Sequence, residues 1–218
     1  MRRNSNRLSR SQDGSRNHVN LTAIDDLFNR FKEAAEEKIE AEGMQALFEA
    51  LDVDPLDITS LVFAWKLRAK TPFEFSRSEF VDGCVNLGAD SLEKLKAVLP
   101  SLKESLNNDD DFRSFYMFAF DYNKPIEQRS LPIEVARQLF PLILGGRFAH
   151  IDLWIEFLEG KKHAISRDTY SLLLDFARNI DYDLKNFDEE NGAWPVLLDE
   201  FVDFAKPRIA QDKDRMDE

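Results

Sequence analysis

From residue 21 onward the chain sets its large apolar residues three and four positions apart, segment after segment, with polar punctuation between. That spacing follows the 3.6-residue turn of an α-helix rather than the two-residue alternation of a half-buried strand. LTAIDDLFNRFKEAAEE aligns Ile24, Leu27, Phe28 and Phe31 behind Thr22, which is expected to cap the helix. GMQALFEALD aligns Met44, Leu47, Phe48 and Leu51. After Pro55, LDITSLVFAWKLRA is apolar nearly all round, the pattern of a central buried helix. SRSEFVDGCVNLG opens on Ser76 with Glu79 three residues later, a capping-box arrangement, and stops at Gly88. DSLEKLKAVLPSLKESL carries Pro100 in its register, so a kink or a division is expected there.

The second half repeats the pattern in DDFRSFYMFAFDY, PIEVARQLFPLIL, RFAHIDLWIEFLEG, SRDTYSLLLDFARNI and PVLLDEFVDFAKP. About ten helices with short connections predict an all-α fold in two packed helical subdomains. The seam is expected near residues 107–110, NNDD, although shared core contacts could make the halves one folding unit. In the last segment the spacing puts Asp199 and Asp203 on one face and lets Val196, Phe201 and Phe204 look into the core. The stretch FAFDYNKPIEQRSLPIEVARQLF has the outline of an EF-hand, with Asp121 and Asn123 where the first ligands would sit. Ile126 and Pro132 occupy the places of the required Gly and Glu, so EF-hand-like packing without calcium is expected.

Composition narrows the function. The chain has 218 residues, 18 of them Phe, and a net charge of −12, enough apolar material for a large core and the wrong sign for nucleic acid. A basic partner suits it better. Cys84 is the only cysteine, which excludes an intramolecular disulfide and a multi-cysteine zinc site. It follows Gly83 within an apolar stripe and reads as a small buried hydrophobe. No apolar run reaches the roughly 18 residues of a membrane span. Residues 1–19 form a basic leader with five Arg, expected to be disordered. A solvated leader, a nuclear signal, a phosphorylation substrate and a membrane-surface contact all remain compatible with it. Residues 211–218 are expected to be a charged, flexible tail. His18, His150 and His163 share no spacing with Cys84 that would make a nucleophile–base pair, His150 reads as a structural or surface residue of a helix, and no Gly-rich phosphate loop occurs. Neither an enzyme, a metal site nor a cofactor is expected.

One stretch stands apart. Between Asp181 and Phe204 there are eight Asp or Glu and a single Lys, interrupted by Gly192, Ala193, Trp194 and Pro195. Pro195 suits the first turn of the last helix, whose N-terminal dipole favours nearby carboxylates. A small Ala beside acids leaves a shallow place for a partner's lysine, while a merely solvated acidic face would look the same.

ITSLVFAWKLRAKTPFEFSRSEFVDG, LGADSLEKLK, GRFAHIDLWIEFL, DTYSLLLDF and DEENGAWPVLLDEFVDFAKP closely resemble the potentiating-neddylation domain of the defective-in-cullin-neddylation (DCN-like) proteins. The resemblance covers residues 20–210 with the motifs in family order. It implies a non-catalytic co-ligase that binds a cullin and the neddylation-conjugating enzyme and so regulates cullin-RING ubiquitin ligases. Asp168, Ala193 and Asp199 match the family's patch for the cullin winged-helix domain. Asn191 looks like an extra residue before the Gly-Ala-Trp-Pro block, which leaves the path of that loop open. Met44, Leu61, Phe63, Phe73, Phe75, Tyr122, Val135, Leu139 and Leu142 match the pocket for the acetylated N-terminal Met of the conjugating enzyme. The RING subunit of the cullin ligase is a further implied partner. The resemblance also implies a monomer in nucleus and cytoplasm, without cofactor, nucleic acid or membrane span. Many members of that family carry an N-terminal ubiquitin-associated domain, which the short leader is not expected to form. An inhibitory cullin-binding adaptor and a helical scaffold unrelated to neddylation are the alternatives.

Overall fold

The structure is a computed structural model that describes residues 19–34, 36–188 and 192–216, with the backbone alone over 212–216. Residues 1–18 of the basic leader, Asn191 and the last two residues of the expected tail lie outside the described residues. Helix α1 spans Leu21–Phe31, and Asn20 rather than Thr22 caps it by accepting the Ala23 N–H at 3.2 Å. The helix stops at Phe31 instead of running on through the Ala and Glu residues that follow. Its apolar stripe ends there, and the chain turns to form strand β1, Lys38–Ile39. Then come α2 (Ala41–Ala50), α3 (Ile58–Lys66), strand β2 (Phe75–Ser76), α4 (Arg77–Leu87) and α5 (Leu92–Glu104).

The capping box of α4 is complete. The Glu79 N–H donates to Ser76 Oγ at 3.3 Å and the Ser76 N–H donates to Glu79 Oε2 at 2.8 Å, while Gly88 takes the left-handed conformation at φ 67°. Pro100 does not divide α5, which is continuous to a 3-10 turn at Ser105–Asn107. The second half holds α6 (Asp109–Asn123), strand β3 (Ser130–Leu131), α7 (Ile133–Leu144), α8 (Ile151–Glu159), strand β4 (Ile165–Ser166), α9 (Arg167–Asn179) and α10 (Val196–Met216). Helix α10 passes through Pro207 instead of ending there.

The two-residue strands explain the EF-hand-like outline. β1 pairs antiparallel with β2, and β3 with β4. Each strand lies in a loop between two helices, so α1–β1–α2 is tied to α3–β2–α4, and α6–β3–α7 to α8–β4–α9. The helix–loop–helix outline seen once in the sequence therefore occurs four times. Two residues cannot display a period, which is why these strands left no pattern.

The two halves share one hydrophobic core. Trp65 of α3 meets Phe115 of α6 at 5.7 Å between ring centroids, and Arg147 Nη2 reaches back to the Leu106 carbonyl at 2.7 Å. In the second half Tyr116 stacks on Tyr170 at 4.1 Å and its hydroxyl donates to the Tyr170 carbonyl at 2.8 Å. Phe201 of α10 enters a cluster with Phe148, Trp154, Phe157 and Phe176. Val196, expected to face the core, is instead 70% exposed because it sits in the first turn, before α10 meets α8 and α9. Among the described residues no helix is long and apolar enough to cross a membrane.

Candidate functional site

The seam between the halves holds a cleft of about 790 Å³, walled by α2 and α3 on one side and by the end of α6 and α7 on the other. Met44, Leu61, Tyr122 and Leu139 form buried walls, with Val135 and Leu142 half-buried. Leu56, 83% exposed, and Phe73, 74% exposed, stand at its rim. Thus seven expected positions, Met44, Leu61, Phe73, Tyr122, Val135, Leu139 and Leu142, are brought together.

Phe63 and Phe75 are not on this surface. Both are fully buried, and Phe63 packs edge-on against Phe48 and Phe75 at 6.0 Å each, so they form a layer behind the wall. Phe48 lines the cleft in their place, together with Gln45, Ser60 and Gln138. Its spacing of four from Met44 was the available signal; Leu56, outside any helical stripe, gave none.

Local chemistry shapes the rim. Ser60 Oγ donates to the Pro55 carbonyl at 2.8 Å, pinning the turn that carries Leu56. Phe73 adopts φ 62°, a left-handed conformation that costs a non-glycine residue roughly 1 kcal/mol and aims a large ring toward solvent. Burial pushes the Tyr122 phenol up to about 12, so it stays protonated, and its ring stacks on Phe118 at 5.0 Å. No carboxylate is among the described residues that line the cleft.

The acidic face lies elsewhere, on α9 and α10. Asp168 is exposed in the first turn of α9, where Ser166 caps the helix by accepting the Thr169 N–H at 3.0 Å. Asp199 is half-buried in the first turn of α10, and Asp203 is exposed one turn on. Carboxylates in first turns are favoured by the helix dipole.

The Gly-Ala-Trp-Pro break has a clear physical logic. A Cβ on Gly192 would lie 2.3 Å from the Asp188 carbonyl oxygen and 2.5 Å from the Trp194 ring nitrogen, so only glycine fits. Trp194 anchors the segment by stacking on Phe187 at 5.9 Å and meeting Phe176 edge-on at 5.8 Å. The Leu198 N–H donates to the Pro195 carbonyl at 2.8 Å as α10 begins. Between glycine and anchor, Ala193 is left exposed. Asp168 precedes Phe176 by eight residues, which places it about 12 Å along α9 from the Trp194 contact. Asp168 thus lies on α9, Ala193 on the segment before α10 and Asp199 in the first turn of α10.

Cys84 offers no nucleophile: its side chain is fully buried, and burial raises its thiol pKa to about 12. His150 is buried at the N-cap of α8 instead of inside the helix, and its Nε2 donates to the Tyr182 carbonyl at 2.9 Å. Among the described residues no group of three His, Cys, Asp or Glu could hold a metal.

Comparison with known proteins matches residues 94–204 to the family described as cullin binding. The chain is 38% identical over 176 residues to DCN1-like protein 5 of Bos taurus, covering 80% of this chain and 74% of the relative. It is 40% identical to DCN1-like protein 4 of Danio rerio, covering 77% of this chain and 60% of that protein. With DCN1-like protein 3 of Xenopus laevis it shares 37% identity over 194 residues, 86% of this chain and 64% of the relative. The chain belongs to the cullin-binding family of DCN1-like proteins.

Proposed function

We propose that this chain is a non-catalytic scaffold that holds a cullin winged-helix domain on the α9–α10 face and the acetylated N-terminus of a neddylation-conjugating enzyme in the seam cleft. Family membership supports the cullin-binding role in neddylation. The chemistry of the cleft carries the rest. A free N-terminal ammonium would be desolvated against Met44, Leu61 and Leu139 with no carboxylate to neutralise it, and that costs far more than burying an uncharged acetyl amide. Gln45 and Gln138 supply amides at the mouth that can pair with the acetyl group and the peptide backbone.

The contribution to catalysis is proximity. Two partners on one rigid chain raise the effective concentration of the conjugating enzyme's thioester at the acceptor lysine, which the RING subunit also helps to orient. No side chain of this chain takes or gives a proton.

Calorimetric titration with the conjugating enzyme's N-terminal peptide, acetylated and free, tests the reading. The acetylated form should bind about tenfold tighter or better, a difference of about 1.4 kcal/mol. Equal affinities would remove the acetyl-methionine assignment. Cys84→Ser should stimulate neddylation like wild type, because the thiol is buried; loss of stimulation in a folded Cys84→Ser variant would favour a thiol-transfer mechanism instead.

A further inference from the structure

On the other side of the α3–α6 contact lies a second cleft, of about 670 Å³, separated from the first by the Phe118–Tyr122 stack. Trp65, Phe118 and Leu102 give it an apolar floor, and Lys66 and Arg68 stand at its mouth. The protein carries 41 acids against 29 Lys and Arg, so a mouth with two cations is opposite in sign to the molecule as a whole. Lys66 Nζ lies 3.8 Å from the Trp65 ring centroid and 3.9 Å from Asp111 Oδ2, which offsets part of its charge. Arg68 pairs with no carboxylate among the described residues, whereas Arg77 holds two and Arg167 one.

The backbone at Arg68 adds a second, independent observation. Arg68 follows the cap of α3 at φ 55°; its N–H donates to the Trp65 carbonyl and the Ala69 N–H to the Ala64 carbonyl, both at 3.0 Å. This is the Schellman ending, in which glycine is the favoured left-handed residue. Helix α4 ends in the same way with Gly88 at φ 67°. Helix α2 also ends so with Asp52 at φ 56°, and there the side chain gains an ion pair with Lys96 at 2.6 Å. Among the described residues Arg68 gains no such ion pair. Strain of this kind persists where a side chain serves a binding surface.

We propose that this cleft is a docking surface for an acidic segment of a partner protein that carries one large apolar side chain. The apolar side chain seats on Trp65, Leu102 and Phe118, and carboxylates on either side of it meet Arg68 and Lys66. An acidic chain is repelled by most of this molecule's surface and attracted here, so charge supplies the selectivity and the apolar floor the affinity.

Titrating the acetylated, amidated peptide Asp-Glu-Phe-Glu-Asp into the full chain tests the proposal calorimetrically. Wild type should bind it, more weakly as salt rises, and Arg68→Glu should weaken binding by about tenfold or more. The same peptide with Gly in place of Phe should lose its affinity, since the floor is then empty. Arg68→Gly separates charge from folding: it should raise the melting temperature by relieving the left-handed backbone while it weakens the peptide. Absence of binding to wild type, unchanged binding to a folded Arg68→Glu, or equal affinity for the Gly peptide would each overturn the proposal. The titration makes no use of the acetyl-methionine cleft, so its outcome is separate from that of the function proposed above.

Discussion

His150 is where a single residue decides behaviour that the spacing of apolar positions did not reveal. Its ring stacks on Tyr182 at 4.7 Å, meets the Phe148 edge at 6.0 Å, and must carry its proton on Nε2 to donate to the Tyr182 carbonyl. Burial lowers its pKa, and the carbonyl hydrogen bond opposes that shift without cancelling it. The folded chain thus binds its proton less readily than the unfolded chain, whose His titrates near about 6.5. Stability contributed by neutral His150 is complete above that value and is lost as pH falls through it toward the lower folded value. The urea midpoint should accordingly drop between about pH 7.5 and 5.5, and His150→Gln should flatten that slope; a parallel slope in the variant would assign it to other groups. Glu37, held below its usual value by Lys32 and then Arg77, acts in a more acidic window and does not confuse the reading. Helical periodicity placed His150 inside an amphipathic helix. Its burial comes from the 181–187 turn folding over it, a long-range contact with no local signature.

At the scale of elements, crossings demand more than apolar stripes. Gly43 lies within α2, where alanine would normally add about 1 kcal/mol of helix propensity. A Cβ there would sit 2.0 Å from the Phe31 carbonyl oxygen at the end of α1, and backbone cannot move aside cheaply. Steric cost wins: Gly43→Ala should destabilise by about 3 kcal/mol or more, read from urea denaturation. Gly88→Ala makes the contrast. Its Cβ would meet open space, so only the left-handed φ is penalised, at roughly 1 kcal/mol. Equal losses in the two variants would contradict this account. The ten helices of the described residues were legible because each carries an apolar stripe and most carry a cap or breaker, such as Ser76, Gly88 and Pro55. What could not be read was how loops pair: Lys38 with Ser76, Ser130 with Ser166. Those contacts join residues 38 and 36 positions apart through strands too short to show alternation.

For the whole molecule, the proposed scaffold needs two surfaces carried by one core. The resemblance to the family brought out seven cleft positions, yet Phe63 and Phe75 alternate with them in sequence and lie one layer deeper. Apolar composition alone cannot distinguish a pocket wall from the residue supporting it. Rigidity between the surfaces follows from the shared core across the seam, and it sets up the most demanding prediction. Ala193→Arg puts a long cation between the carboxylates of the α9–α10 face and should abolish binding of the cullin winged-helix domain while leaving the acetylated peptide bound. Leu142→Glu, at a half-buried position of the cleft wall, should do the reverse, and should narrow the preference for the acetylated peptide by giving a free ammonium a partner. Each variant should melt near wild type and fail to stimulate neddylation. Mixed together, the two must still fail, because effective concentration is gained only when both partners sit on the same chain. Rescue by the mixture, measured as the rate of modifier transfer to the cullin, would mean that the surfaces act independently and that the scaffold mechanism is wrong.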